Sequence, residues 1–226
     1  MIADIAVTAA DKLFIQLRKD IVEGVIAAGS KLSETELSSN YQVSRAVVRE
    51  AINRLASGYL IDRKANIGAR VVELSPQGLH QLYQVREALE GMAARLAARN
   101  MSAHDIQQLQ ALLAKHFDKV KGSESYYQEA GDVDFHYRIV LGSNNPQLIN
   151  LLIDGVYHLA RMYRVQLGMV GPRVTTAYEE HHSIVKAISN RDEELAELLM
   201  RRHILYSMNN IKAKLISSKE AHHERR

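Results

Sequence analysis

Hydrophobic positions recur every four residues over 11–25, where Leu13, Leu17, Ile21 and Val25 draw one stripe and predict an amphipathic helix. The pattern breaks around Gly29. Ser33-Glu34-Thr35-Glu36 then has the form of a capping box, with the Ser33 hydroxyl and Glu36 carboxylate placed to satisfy orphan amides of a short helix ending near Asn40. Ser44 offers a second cap before the helical run 45–55, which stops at Gly58. Projected on a helix, Val48, Ala51, Ile52 and Leu55 gather on one side of that run. Arg45, Arg49 and Asn53 gather about a third of a turn away. Residues 59–63 and 69–74 read as short strands around a loop containing Gly68. Two short helices trailed by a hairpin predict a winged helix-turn-helix.

Ser75-Pro76 is a cap and first-turn pair that opens a long helical pattern to about Arg99, so a domain boundary is expected near residue 75. Helical patterns follow over 102–121, 123–142, 146–168, 173–189 and 191–216, with no alternating strand pattern. The expected fold is therefore mainly α. Residues 1–74 form the winged helix-turn-helix with a small β-hairpin wing, and 75–217 form an all-helical bundle. The apolar stripe fades after Lys214, so 218–226, with His222 and His223, is expected to be a disordered tail.

Composition narrows the chemistry. The 226 residues are 46% hydrophobic and 24% charged, which is globular and excludes collagen-like and largely disordered chains. With no Cys, disulfide frameworks, Cys-based zinc modules, iron–sulfur clusters and thiol nucleophiles are excluded, and any metal must be held by His and carboxylate. No uncharged stretch approaches the roughly 18 residues of a membrane helix. The first residues lack a basic region and carry Asp4, so no signal peptide is expected there and the cytoplasm is the expected location. The net charge is only +3, yet residues 31–70 hold seven basic against four acidic side chains, an excess that suits a polyanionic partner. Arg45 and Arg49 stand one turn apart at the N-terminal end of the second short helix, the end that enters the major groove, where Arg can bridge guanine O6 and N7. Small Ala46 permits close approach, and Arg63, Lys64 and Arg70 on the wing suit phosphate. The plain alternative is ordinary solvated surface charge.

In the C-terminal part, Arg86 and Glu90 project into the apolar arc of Leu79, Leu82, Leu89, Ala93 and Leu96, and buried charge needs a partner. Either the two residues pair at i,i+4 or Arg86 meets an anionic ligand. Asp132 and His136, also i,i+4, point inward beside Phe135 and Ile139. His181 lies at the centre of the arc of Ile184, Val185 and Ile188, whereas His182 projects toward solvent. His203 shares a side with Leu199, Tyr206 and Asn210. One Asp and three His could build a site for a divalent metal, zinc first, with nickel, manganese or iron as the other candidates. Equally, each His could be satisfied by a polar neighbour.

Two stretches also carry a resemblance. Ile-Val-Glu-Gly at 21–24, Gly-Ser-Lys-Leu-Ser-Glu at 29–34, Val-Ser-Arg at 43–45, Val-Arg-Glu-Ala-Ile at 48–52 and Leu-Ala-Ser-Gly-Tyr-Leu at 55–60 resemble the DNA-binding domain of GntR-family transcriptional regulators. The resemblance implies base contacts by Arg45 and Arg49 and groove approach by Gly68. Thr35 and Ala46-Val47 depart from common family residues, which bears on the operator and not on the mode of binding. Val-Arg-Glu-Ala-Leu-Glu at 85–90, Ala-Ala-Arg at 97–99, Asp132-x-x-Phe135-His136, Glu180-His181-x-x-Ile184 and His203 resemble the FCD effector domain of the FadR subfamily. That implies a divalent metal on Asp132, His136, His181 and His203, helping to hold a small carboxylate with Arg86. The expectation is a ligand-responsive regulator, a repressor that binds a pseudo-palindromic operator in double-stranded DNA as a homodimer. DNA-contacting residues would be Arg45, Ala46, Arg49, Asn53, Lys64 and Gly68. The competing classes are a metal-dependent enzyme with an accessory DNA-binding domain and a non-specific nucleoid or RNA-binding protein. The first has no HExxH helix, Ser-centred elbow, P-loop or GxGxxG in its favour, and the base-facing arginines argue against the second.

Overall fold

The computed structural model describes residues 8–64, 68–121, 135–167 and 173–223. The chain divides into two compact units, Met1–Leu74 and Ser75–Arg226. Among the described residues no helix is long and apolar enough to cross a membrane.

In the first unit, α1 (Ala9–Val22) starts at a two-way capping box. The Asp11 amide donates to the Thr8 hydroxyl at 3.1 Å, and the Thr8 amide donates to the Asp11 carboxylate at 2.9 Å. Leu13, Leu17 and Ile21 are buried as the stripe predicts, but Val25 is 74% exposed. The helix ends at Val22 and Gly24 takes a left-handed φ of 80°, which turns the chain before a fourth stripe position can be used. A two-residue strand β1 (Lys31–Leu32) follows, then α2 (Glu34–Asn40), capped by Ser33, and α3 (Arg45–Ser57), capped by Ser44. The Ser38 hydroxyl donates to the Val43 carbonyl at 2.6 Å and closes the turn between α2 and α3. Val48, Ala51, Ile52 and Leu55 are buried, and α3 packs on α1. The wing strands are shorter than the pattern suggested, β2 (Ile61–Lys64) and β3 (Gly68–Val71). Antiparallel order β1-β3-β2 makes a three-stranded sheet with Arg70 opposite both Lys31 and Asp62.

The second unit is all helix among its described residues. α4 (Pro76–Asn100) is capped by Ser75, whose hydroxyl accepts from the Gly78 amide at 3.0 Å. α5 (Ala103–Lys121) and α6 (Phe135–Gly142) follow. α7 (Pro146–Ile149), a π-helical segment Asn150–Val156 and α8 (Tyr157–Leu167) run on as one continuous helical stretch. α9 (Arg173–Ser189) and α10 (Glu193–His223) complete the chain. α10 lies antiparallel along α4, joined by Arg99–Glu193 at 2.6 Å, Arg95–Glu197 at 3.1 Å and Arg201–Glu87 at 3.0 Å. The axes approach closely at Gly91, where a Cβ would lie 2.6 Å from Arg201 Cγ. Contrary to the expected tail, α10 stays helical to His223, because residues 217–223 contain no Gly or Pro and include the helix formers Lys219, Glu220 and Ala221.

Replacing Leu17, fully buried between α1 and its neighbours, by Ala is expected to cost about 2–5 kcal/mol in urea unfolding of the full chain. A second expectation concerns acid. The Thr8 hydrogen bond, then Arg54, hold the Asp11 carboxyl at about 2 against an ordinary 3.8. A lowered native pKa means stabilisation that is present above pH 4 and is lost as pH falls through 2. Asp11→Asn should therefore flatten the acid side of a thermal-midpoint profile between those values.

Candidate functional site

Three imidazoles meet in the core of the second unit. α6 contributes His136 from its first turn, α9 contributes His181 from the buried arc of Ile184, Val185 and Ile188, and α10 contributes His203 beside Met200, Ile204 and Ser207. All three are buried, whereas His182 is exposed, as the periodicity requires. Tyr206, assigned to the His203 side, is 54% exposed. The inward arc of α10 runs instead through Met200, Ile204, Ser207 and Ile211, with His203 on its edge.

His203 Nε2 lies 3.2 Å from both His181 Nε2 and His136 Nε2, and one donor atom from each residue falls within 4.8 Å of the others. The outer nitrogens are engaged. His136 Nδ1 donates to Glu90 Oε2 at 2.7 Å, and His203 Nδ1 donates to Glu180 Oε2 at 2.6 Å. With a carboxylate on Nδ1 of each, the Nε2 atoms of His136 and His203 are the ones turned toward each other and toward His181 across the cluster. Two nitrogens bound to one divalent ion at about 2.0–2.1 Å, at angles between octahedral and tetrahedral, would sit about 2.8–3.4 Å apart, so the 3.2 Å separations in this donor set fit a metal. His181 is held by stacking on Phe135, with ring centroids 4.0 Å apart and planes 18° from parallel. Asp132, the fourth expected ligand, lies outside the described residues.

Glu90 connects this cluster to Arg86. Arg86 Nε donates to Glu90 Oε1 at 2.6 Å, and the guanidinium lies 4.5 Å over the Tyr83 ring. Of the two readings left open for Arg86, the i,i+4 ion pair is present. Burial is the largest influence on the Glu90 carboxyl and pushes its pKa up. The charges of Arg86 and then His136, with their hydrogen bonds, outweigh burial and hold it well below the usual carboxylate range. Glu90 and Glu180 were not among the expected site residues. Glu180, immediately before His181, could have been suspected, but the pairing of Glu90 with His136 across 46 residues has no local signature.

On the first unit, the free face of α3 exposes Arg45, Ala46, Arg49 and Asn53 opposite the buried stripe. Each polar member touches a neighbour. Arg45 Nη2 donates to Thr35 Oγ1 at 3.0 Å, and Arg49 donates to both oxygens of Glu34, at 3.4 Å from Nε and 3.0 Å from Nη2. Arg63 of β2 donates to the side-chain amide oxygen Oδ1 of Asn53. Gly68 opens β3 at φ 90° with open space where a side chain would stand. The Lys64 side chain lies outside the described residues. An open cleft of about 500 Å³ runs between the start of α2 and the wing, lined by Lys31, Ser33, Glu34, Glu36, Arg63 and Gly68 among others.

Residues 9–71 match the model of the gntR family of bacterial regulatory proteins, and residues 81–206 match the FCD domain. The chain is 28% identical over 188 residues to a probable D-xylose utilization operon transcriptional repressor of Paenarthrobacter nicotinovorans, covering 82% of this chain and 80% of that one. It is 27% identical over 222 residues to the Exu regulon transcriptional regulator of Escherichia coli K12, covering 88% and 84%. Among solved structures, E. coli McbR/YncC superposes with a TM-score of 0.73 at 20% identity, covering 92% of this chain and 99% of that one. A GntR-type regulator from Rhodococcus sp. RHA1 gives 0.66 at 21%, covering 89% and 96%. These two likenesses establish the fold. The two sequence relatives are named as regulators of transcription, not as enzymes.

His181→Ala is expected to bring divalent metal in dialysed protein well below the wild-type stoichiometry while His182→Ala leaves it unchanged, as read by elemental analysis; the reverse pattern would contradict the face assignment. Glu90→Gln should weaken zinc binding by roughly 10- to 100-fold in competition with a chromophoric chelator, since the carboxylate that fixes His136 is lost.

Proposed function

This chain belongs to the GntR family of bacterial regulatory proteins and carries an FCD domain, and on that premise we propose that it is a ligand-responsive repressor of the FadR subfamily. It binds a pseudo-palindromic operator as a homodimer, with residues 1–74 on DNA and 75–217 as the effector-binding and dimerisation domain. The observation that carries this reading is α3, whose apolar face is buried and whose opposite face exposes two guanidiniums one turn apart around Ala46. That is the form of a recognition helix, and a symmetric dimer would set two such helices on half-sites about one helical turn, roughly 10 base pairs, or a multiple apart. Arg45 and Arg49 read guanine, Ala46 permits approach, Asn53 extends the reading face, and Gly68 and Lys64 bring the wing to the backbone or minor groove.

The effector is a small carboxylate. His136, His181 and His203, with Asp132, would hold a divalent ion, zinc first, which supplies a Lewis-acid site for a carboxylate oxygen. Glu90 and Glu180 orient His136 and His203. Arg86, buried and ion-paired with Glu90, would meet the effector anion by sharing its guanidinium between that carboxylate and the effector's. Effector binding shifts the population of the DNA-competent arrangement by its differential affinity for the two states.

Selection of random duplex DNA on the purified protein tests the reading and should return an inverted repeat; no enriched motif from folded, metal-loaded protein would contradict it. On the selected duplex, Arg49→Ala should lose about 1–3 kcal/mol of affinity with little change on random duplex. An equal loss on both would contradict base reading.

A further inference from the structure

Glu34 stands among the arginines of the reading face. It takes Arg49 in a two-point contact, and the carboxylate is one-third exposed beside an Arg49 side chain that is 58% exposed. That hydrogen bond is the main reason its carboxyl lies below the usual range. Burial opposes it, and the charges of Arg49, Arg63 and Arg45 add to it, so one acid lies in the field of all three arginines. Glu34 also lines the cleft that opens toward the wing, with Glu36, Lys31 and Arg63.

We propose that Glu34 is a specificity-determining residue, which keeps the reading arginines from phosphate and yields them where the major groove offers guanine acceptors beside an amino donor. This inference rests on the reading of α3 as the recognition helix. A phosphate attracts any cation regardless of sequence and supplies most non-specific affinity. To reach Arg49 it must displace a carboxylate of the same bidentate chemistry, and the displaced carboxylate is then left beside the phosphate charge. The exchange of one anion for another gains little. A guanine is different, because O6 and N7 are neutral acceptors that take the Arg fork, and a neighbouring cytosine N4 or adenine N6 amino group can donate to the released Glu34. The Arg49–Glu34 pair is exposed enough to be exchanged. Displacing it is therefore compensated only on some sequences, and Glu34 lowers binding to the rest.

The test compares full-length wild type, Glu34→Gln and Glu50→Gln on the selected duplex and on random duplex at several salt concentrations. Glu50 is an exposed acid of α3, beside Arg49 in the chain, so its replacement changes the net charge equally. Glu34→Gln should raise affinity for random duplex roughly three- to ten-fold and steepen its log–log salt dependence by about one. It should also lower the selected-to-random ratio, while Glu50→Gln leaves that ratio at the wild-type value. A ratio unchanged in Glu34→Gln, or changed equally by Glu50→Gln, overturns the proposal. A loss confined to the selected duplex also overturns it, since Glu34 would then only position Arg49. If wild type itself fails to distinguish the two duplexes, the recognition-helix reading has failed and takes the proposal with it.

Discussion

A carboxylate in a dry interior must be matched by positive charge or hydrogen-bond donors, and in this protein that constraint falls on Glu90. Its two oxygens are divided between Arg86 on its own helix and His136 on α6. Breaking such a buried arrangement by removing one partner commonly costs about 3–5 kcal/mol, although the intact pair need not stabilise the fold on balance. Its stronger consequence is geometric. With Nδ1 of His136 committed to Glu90 and Nδ1 of His203 committed to Glu180, the rings of three helices turn their Nε2 atoms to a common point. The helices are brought to that point by ordinary packing, above all the long antiparallel contact of α4 with α10 that Gly91 permits.

The first unit follows the opposite design, with charge kept outside a small apolar centre. Leu13, Leu17 and Ile21 of α1 and the α3 stripe use the apolar faces, so α3 turns its other side outward. The side chains there form a shallow web in which two of the three arginine partners, Glu34 and Thr35, come from the first turn of α2. Contacts of this kind are weak and exchangeable, as the proposed reading of bases by this face requires.

Much of this was legible in the chain because it is local. Caps at Ser33, Ser44 and Ser75 mark helix starts through side chains only three residues from the amides they accept, and a four-residue stripe identifies Leu17 and Ile21. The choice of His181 over His182 needed only the rotation per residue. Less legible were features fixed across the chain. The two-residue strand β1 has no pattern of its own and exists because β3 offers it an edge. Val25 fits the stripe, but the backbone turns before it. Tyr206 shares a projected side with His203, yet the shape of neighbouring helices sets where the buried arc ends. Glu90 is visible as an inward charge, but its pairing with His136 depends on how α4 meets α6.

In the proposed function the state of the histidine cluster governs binding to DNA. This dependence is tested most directly by the fluorescence anisotropy of a labelled selected duplex, titrated with protein stripped by chelator, reloaded with zinc, and reloaded in the presence of a panel of small carboxylic and hydroxycarboxylic acids. At least one acid is expected to shift the duplex Kd in zinc-loaded protein and to have no such effect on stripped protein or on the His203→Ala variant. A Kd that is the same for stripped and loaded protein, and for every acid, would contradict it.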